Sequence, residues 1–389
     1  MMDFPWFQFY PEAVPKQIDP DQYSSAVDLF EESIAKFGDA VAYECMDKTI
    51  SFNELDKLSS TFASFLQHEL NLKKGDRIGI QMPNLLQYPI VMFGALRAGL
   101  IVVNTNPLYT SSEMEHQFSD AGVKAVVIVA NFAHNLEKIK SKIGLKHIVI
   151  TEIGDSLGGL KGNIVNLVVK YIKKMVPAYN IPEAWSFKKA MAAGEKKAYV
   201  RQELAHKDLA FLQYTGGTTG VSKGAMLSHG NIVANMQQIS AWMKPRLIEK
   251  EETVITALPL YHIFALTVNC LAMMKIGAHN VLITNPRDMP TFCKTLKKHP
   301  FSVFTGVNTL FNGLLNQESF RSLDFSSLKI AVAGGMALQS FVAKRWKEVT
   351  GVAISEGYGL TETSPVVTCN PIDGTERLGT IGIPLPNTD

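Results

Sequence analysis

The sequence predicts an α/β protein built on largely parallel sheets covered on both faces. Two observations carry this: short unbroken runs of β-branched residues alternate with segments of helical period, and glycines close several of those helical segments. Residues 77–82 read as a strand, 86–98 as a helix ended by Gly99, and 100–103 as the next strand. Residues 112–121 look helical, 124–129 extended, and 148–150 supply another strand. The alternation resumes with strands at 254–258, 281–283, 301–304 and 329–333. Helices lie between and after them, such as 264–275, closed by Gly277, and 339–349, closed by Gly351. Strand–helix–strand order with wholly apolar strands is the pattern of parallel sheets layered with helices. Two such series predict two related lobes within one large domain.

The bulk properties agree with a folded enzyme-sized body. The chain has 389 residues, 46% hydrophobic and 19% charged, which excludes a disordered protein. A formal charge of +2 gives no general attraction to nucleic acid. Cys45, Cys270, Cys293 and Cys369 stand far apart with no CxxC or Cys/His ligand spacing, so neither a disulfide framework nor a zinc site is expected, and a reducing cytoplasm fits. The first residues lack the basic and apolar regions of a signal peptide. The most apolar stretch, 88–103, is broken by Arg97 and Gly99, so a soluble protein is expected.

Residues 154–197 interrupt the rhythm. On a helical wheel, the apolar residues of 163–176 fill one broad arc, and Lys170, Lys173, Lys174, Asn163 and Asn166 fill the rest. Two readings stay open: a helix packed on the protein body with a solvated lysine face, or a helix lying on an anionic membrane surface.

The densest chemical signal is the stretch Tyr214-Thr215-Gly216-Gly217-Thr218-Thr219-Gly220-Val221-Ser222-Lys223-Gly224-Ala225, which follows an apolar strand at 209–213. Three closely spaced glycines let the backbone turn and aim several N–H groups at one anion. Three threonine hydroxyls and the Lys223 cation complete a polyphosphate clamp. The spacing is neither that of a Walker A loop nor of a GxGxxG fingerprint.

This loop resembles the phosphate loop of the adenylate-forming superfamily, which includes acyl-CoA synthetases, luciferases and peptide-synthetase adenylation domains. Further motifs follow in that family's order. Leu258-Pro259-Leu260-Tyr261-His262 is similar to its acyl-site motif and Ala333-Gly334-Gly335-Met336 to its adenine-side turn. Glu356-Gly357-Tyr358-Gly359-Leu360-Thr361-Glu362-Thr363 resembles the nucleotide and magnesium motif, with Gly379-Thr380-Ile381-Gly382 after it. The stretches 82–89 and 282–288 most resemble bacterial long-chain fatty-acid–CoA ligases.

The resemblance implies the large N-terminal domain of that fold: two mostly parallel sheets layered with helices, plus a smaller β-barrel-like part. It implies ATP, magnesium and coenzyme A as reactants and cofactor, and a fatty acid as substrate. Thr215, Gly216, Gly217, Thr218, Thr219, Gly220 and Lys223 are expected to hold phosphates. Gly334, Gly335, Met336, Glu356, Gly357, Tyr358, Gly359, Leu360 and Thr361 are expected around the nucleotide, with adenine stacked on Tyr358. Thr215 and Glu362 offer hard oxygens to magnesium. Lys223, Thr361 and His262 are the expected catalytic residues, His262 lying where carboxylate and α-phosphate meet. Trp242, Val307, Leu310, Phe311 and Met336, with His262, are the candidate acyl-site residues, each equally readable as core.

Peptide-synthetase domains carry an acidic residue after the aromatic of the acyl-site motif, to pair a substrate ammonium. Here 261–264 contain no carboxylate, which favours an acid with an uncharged tail. The chain ends at Asp389, inside the last motif, whereas the family continues into a hinge and a lid domain carrying a lysine. That pattern predicts an excised domain, 1–389, that binds ATP and an acyl group with little turnover. A ligase for medium-chain or aryl acids, transfer to a carrier protein, and a noncatalytic ATP- or lipid-binding protein all stay open. So do self-association and peripheral membrane contact through 163–176.

Overall fold

The computed structural model describes residues 4–216 and 221–389. Its strands run, in chain order, β1 (Val41–Cys45), β2 (Lys48–Ser51), β3 (Arg77–Gln81), β4 (Ile101–Asn104), β5 (Val123–Val129), β6 (His147–Thr151), β7 (Trp185–Ser186) and β8 (Leu209–Thr215). They continue with β9 (Lys223–Ser228), β10 (Thr253–Thr256), β11 (His279–Leu282), β12 (Val303–Gly306), β13 (Ile330–Ala333), β14 (Ile354–Gly359), β15 (Val366–Cys369) and β16 (Ile383–Pro384). They form two sheets, ordered β7-β6-β5-β3-β4-β8-β9 and β16-β15-β14-β13-β12-β10-β11-β1-β2.

The centre of each sheet is parallel, with registers such as Gly79↔Val103 and Gly306↔Ala333. Its strands are buried along their length, which is why they read as unbroken apolar runs. The antiparallel pairs among the described residues are β1–β2, β8–β9 and β14–β15, joined by short connections, and β15–β16, joined by a longer loop. The two sequence series correspond to the two sheets with one exchange. The N-terminal hairpin β1–β2 crosses to the second sheet, where β1 pairs in parallel with β11 through Tyr43↔Asn280 and Glu44↔Val281.

The smaller barrel-like part takes a different form. Among the described residues no barrel closes; β14, β15 and β16 instead extend the second sheet as an antiparallel edge. The tight turn after Gly359 sends the chain straight back along β14, with the Leu360 N–H donating to Pro365 O at 3.1 Å, so the edge stays open.

Helix Gln87–Arg97 shows how the layers meet. Every one of its residues is buried, as expected for a helix with neighbours all round. At Gly94 a Cβ would lie 2.9 Å from the Ser59 carbonyl of helix Phe52–His68, so only glycine lets the two backbones approach so closely. Phe93 stacks on Phe30 with ring centroids 4.0 Å apart. Helix starts are capped where Ser or Thr precedes Glu or Asn by three residues, as at Ser51, Thr110 and Ser228. The predicted helix at 264–275 is a short α-turn, Ile263–Ala265, running into wider π-type turns, Leu266–Ala272. All four cysteines are buried and unpaired, in agreement with their spacing. No described helix is long and apolar enough to cross a membrane.

Candidate active site

Strand β8 carries Thr215 and Gly216 to its carboxyl end, and β9 returns antiparallel with Lys223 opposite Thr215. Gly217, Thr218, Thr219 and Gly220 lie outside the described residues. The flanks of this loop are fixed. Ser222 donates from Oγ to the Thr215 carbonyl at 2.6 Å, and the Ser222 carbonyl meets His116 Nε2 at 2.8 Å. The Tyr214 hydroxyl donates to the Asp120 carboxylate, and its ring lies 2.8 Å from where a Cβ on Gly224 would stand. The Lys223 ammonium is exposed, with no ion pair among the described residues.

The second sheet supplies the facing wall. β13 is followed by Gly334 and Gly335, the latter at φ +78°, and β14 ends in Gly357, Tyr358 and Gly359. A Cβ on Gly359 would stand 1.9 Å from the Pro365 carbonyl oxygen, so the return of the chain requires glycine there. The Thr361–Thr363 turn follows, held by the Leu360 N–H donating to Thr363 Oγ1 at 2.9 Å. Turns at the carboxyl ends of neighbouring parallel strands are where open α/β sheets bind ligands.

These segments enclose a cavity of about 410 Å³ with two kinds of wall. Thr215, Gly216, His262, Gly334, Gly335, the residues 357–361 and Glu362 line its polar side. Ile239, Trp242, Met243, Val268, Val332, Cys369, Ile372 and Leu385, with Ile263, Phe264, Pro365 and Val366, supply its apolar lining. Trp242 is buried there, its indole N–H donating to the Asn370 carbonyl at 3.1 Å and its ring edge-on to Tyr10 at 5.2 Å. The thiol of Cys369 is pushed up to about 12 by burial, so it behaves as an apolar wall group and not as a nucleophile.

His262 is exposed on the cavity lining, and partial desolvation holds its pKa below the ordinary histidine value. Its Nδ1 accepts the Phe264 N–H at 3.3 Å, capping the short helix Ile263–Ala265. An imidazole that accepts at Nδ1 carries its proton on Nε2. The side chain is therefore a neutral donor at physiological pH.

Several expected site residues sit elsewhere. Glu356 is buried, and its carboxylate accepts the N–H groups of Gly379 at 2.9 Å and Leu338 at 3.4 Å; it ties two loops together and does not line the cavity. Met336 is 52% exposed on the surface. Leu310 and Phe311 belong to the core, because helix Asn308–Leu315 turns that face toward helix Ser340–Thr350; Phe311 packs 4.8 Å from Trp346 and 5.6 Å from Phe304. Val307 stands behind the wall, 3.9 Å from where a Cβ on Gly335 would lie. Lys223 flanks the cavity without lining it.

The apolar wall contains residues that sequence reasoning did not reach. Ile239 and Met243 lie three before and one after Trp242 on helix His229–Met243, so its helical period pointed to them. Val268, Val332, Cys369, Ile372 and Leu385 arrive from separate segments and carry no local signal.

Among the described residues no trio of His, Cys, Asp or Glu side chains forms a metal cluster. Thr215 and Glu362 nonetheless line one cavity, and the Glu362 carboxylate has no hydrogen bond or ion pair among the described residues. Two hard oxygens lining one cavity are the donor type that fits magnesium, which takes few protein ligands.

Fold and site together define an α/β nucleotide-binding enzyme class whose cavity couples a glycine-rich polar mouth to an apolar recess. The AMP-binding enzyme family matches residues 30–389, and this chain belongs to it. It is 54% identical over 384 residues to a long-chain-fatty-acid–CoA ligase of Escherichia coli O6:H1, an alignment covering 99% of this chain and 68% of that protein. The fold matches the crystal structure of an anthranilate CoA ligase, AuaEII, in complex with anthranoyl-AMP, with a TM-score of 0.81 at 21% identity over 95% of this chain and 66% of that one. It also matches a long-chain-fatty-acid-CoA ligase of Archaeoglobus fulgidus, with a TM-score of 0.79 at 21% identity over 97% and 71% of the two chains. The chain thus spans about two thirds of the length of these proteins.

Proposed function

We propose that this chain carries the ATP- and acyl-binding site of a ligase that joins a long-chain fatty acid to coenzyme A through an acyl adenylate. One observation carries the reading: a single cavity is lined by glycine turns, hydroxyls, an exposed tyrosine and one carboxylate together with a larger set of apolar residues. The 54% identity to a protein named for that activity agrees with it.

In this reading the Thr215–Gly216 end of β8, with the loop that follows and Lys223, receives the β- and γ-phosphates. Adenine lies on the face of Tyr358, 43% exposed, and the glycines at 334, 335, 357 and 359 let backbone approach the nucleotide. Thr361 donates to the α-phosphate. Thr215 and Glu362 would hold magnesium, which when bound neutralises phosphate charge. The acyl carboxylate attacks the α-phosphorus and pyrophosphate leaves; the thiolate of coenzyme A then displaces AMP. Two anions must meet in the first step, so positioned donors matter most. The Nε2–H of His262 orients the carboxylate and α-phosphate as a neutral donor.

Among the described lining residues Glu362 is the one carboxylate, so the recess offers nothing to pair an ammonium. That favours a fatty acid over an amino acid. No lysine or arginine lines the cavity among the described residues. We therefore expect this chain alone to bind ATP and acyl group with little adenylation, and we place its work in the cytoplasm.

Calorimetry with acyl-sulfamoyl-adenosines, which mimic the adenylate but do not react, tests the reading. Affinity should rise steadily from an eight-carbon to a sixteen-carbon chain. Equal affinity for all chain lengths, or tightest binding of an aryl analogue, would overturn the fatty-acid assignment.

A further inference from the structure

The segment 159–175 turns its largest apolar residues away from the protein, while Val165, Val168 and Val169 are half-buried. Leu160, Ile164, Leu167, Tyr171, Ile172 and Met175 are each at least half exposed; they are six of the nineteen exposed large apolar side chains among the described residues, gathered in sixteen positions. Exposed apolar groups scattered singly are ordinary, but a contiguous stripe marks an interaction surface.

The helix Gly159–Leu167 and the π-type turns Val168–Ile172 are anchored by their small and polar residues instead. Gly162 is buried against Gly154 so closely that a Cβ on either would come within 2.3 Å of the other's carbonyl oxygen. Asn166 Oδ1 accepts the Gly154 N–H at 2.6 Å, and its Nδ2 donates to Asp155 at 3.2 Å. At the far end Asn131 Nδ2 donates to the Met175 carbonyl at 3.0 Å. With both ends tied in this orientation, the apolar arc cannot roll inward.

Charge identifies the partner. Residues 159–176 contain no Asp or Glu, and Lys170, Lys173 and Lys174 are exposed with no acidic partner among the described residues. A second copy of this chain docking two-fold on this face would oppose the lysines to one another. An anionic surface meets both the apolar stripe and the lysines. The segment follows the carboxyl end of β6, in the same sheet whose β8 delivers Thr215 at its own carboxyl end, four ladder steps away, or roughly 19 Å. Both therefore open on one edge of the sheet.

We propose that the outer face of residues 159–175 docks on an anionic lipid bilayer. It lies in the plane of the membrane, with the six apolar side chains at the headgroup–acyl boundary and Lys170, Lys173 and Lys174 at the lipid phosphates.

Vesicle flotation without ATP or fatty acid reads this independently of the ligase assignment. The chain should float with vesicles containing about a third phosphatidylglycerol and remain behind with pure phosphatidylcholine. Each lysine near such a surface contributes about fivefold, so Lys170/Lys173/Lys174→Gln should lower partitioning roughly a hundredfold. Ile164→Ser/Ile172→Ser should weaken binding at low and high salt alike. Because the four native cysteines are buried, Leu167→Cys can be labelled selectively with an environment-sensitive dye, whose emission should shift to the blue on anionic vesicles. Far-UV circular dichroism and ATP affinity report that each variant is folded. Failure of the wild-type chain to float, an undiminished lysine variant, or concentration-dependent dimerisation lost in Ile164→Ser/Ile172→Ser without vesicle binding would each overturn the proposal.

Discussion

Lowering the pH from 7 to 4 is expected to destabilise the helix His229–Met243 through one side chain. His229 is 1% exposed, and its Nδ1 accepts the N–H of Ala26, the first residue of helix Ala26–Phe37, at 3.3 Å. It also opens its own helix, one residue after the Ser228 cap. The imidazole therefore sits at two helix N-termini, where a cation is disfavoured. Burial lowers its pKa from 6.5 to about 4, against the opposing pull of Asp208 and Asp28 and with Lys74 and His206 adding to the shift. Because the folded pKa is depressed, the neutral ring's contribution is present above 6.5 and is lost as pH falls toward 4. The gap corresponds to roughly 3 kcal/mol once protonation is complete, and to about 2 kcal/mol at pH 5.

Urea unfolding followed by circular dichroism at pH 7, 6 and 5 measures it, with His229→Asn as the comparison. Asparagine Oδ1 can take the place of Nδ1 without titrating, so the variant loses some packing at pH 7 and lacks pH sensitivity of this kind. The stability difference between the two proteins should shrink by about 2 kcal/mol between pH 7 and pH 5. His147, His262 and His279 also have pKa values lowered by burial, but they are common to both proteins and cancel. Parallel pH profiles for wild type and His229→Asn would refute the argument. Ile239, Trp242 and Met243 lie on the same helix, so ligand affinity should fall over the same pH range.

Three further outcomes follow from the site and its surroundings. Phe311→Ala should cost about 3–5 kcal/mol in urea unfolding, as a core truncation, while leaving the affinity of the folded protein for acyl-sulfamoyl-adenosine unchanged. Gly359→Ala places a Cβ 1.9 Å from the Pro365 oxygen, so it should displace the Tyr358 wall and weaken ATP binding at least tenfold by calorimetry; an unaltered affinity would remove Tyr358 from the nucleotide site. Glu362→Gln should weaken ATP binding in magnesium but not in EDTA, and an equal loss in both buffers would rule out a metal-holding role.

The parts of the molecule that were legible in the sequence are those whose physics is local. β3 to β6 and β10 to β13 are buried over most of their length, so most of their residues are apolar whatever lies beside them. β9, by contrast, is half exposed and glycine-bearing, and β16 is two residues long, so neither carries a run that a pattern could mark. The exchange of β1 and β2 into the second sheet depends on a partner more than 230 residues away in the chain. The site divides in the same way. Its glycine- and hydroxyl-bearing mouth stood out because such residues cluster rarely in a core, and Glu362 was reached through the family resemblance together with its carboxylate. Its apolar wall did not stand out, since Trp242 and Phe311 obey one rule of burial while one lines the cavity and the other fills the core.

The segment 159–175 marks the limit of periodicity most clearly. A helical wheel sorts its residues into an apolar arc and a polar arc, but it is symmetric with respect to which arc meets the protein. That choice was made by groups a hydropathy pattern scores as weak: a glycine at 162 small enough to touch Gly154, and an amide at Asn166 able to satisfy the Gly154 N–H. Burying an amide with its hydrogen bonds made costs little, whereas replacing Gly162 with any larger residue would force the backbones apart. Small and polar residues that lock onto the body leave the greasy arc with nothing of its own chain to cover it. Amphipathicity read from sequence therefore identifies that a helix has two sides, and only the fit of the less hydrophobic side decides which of them a partner meets.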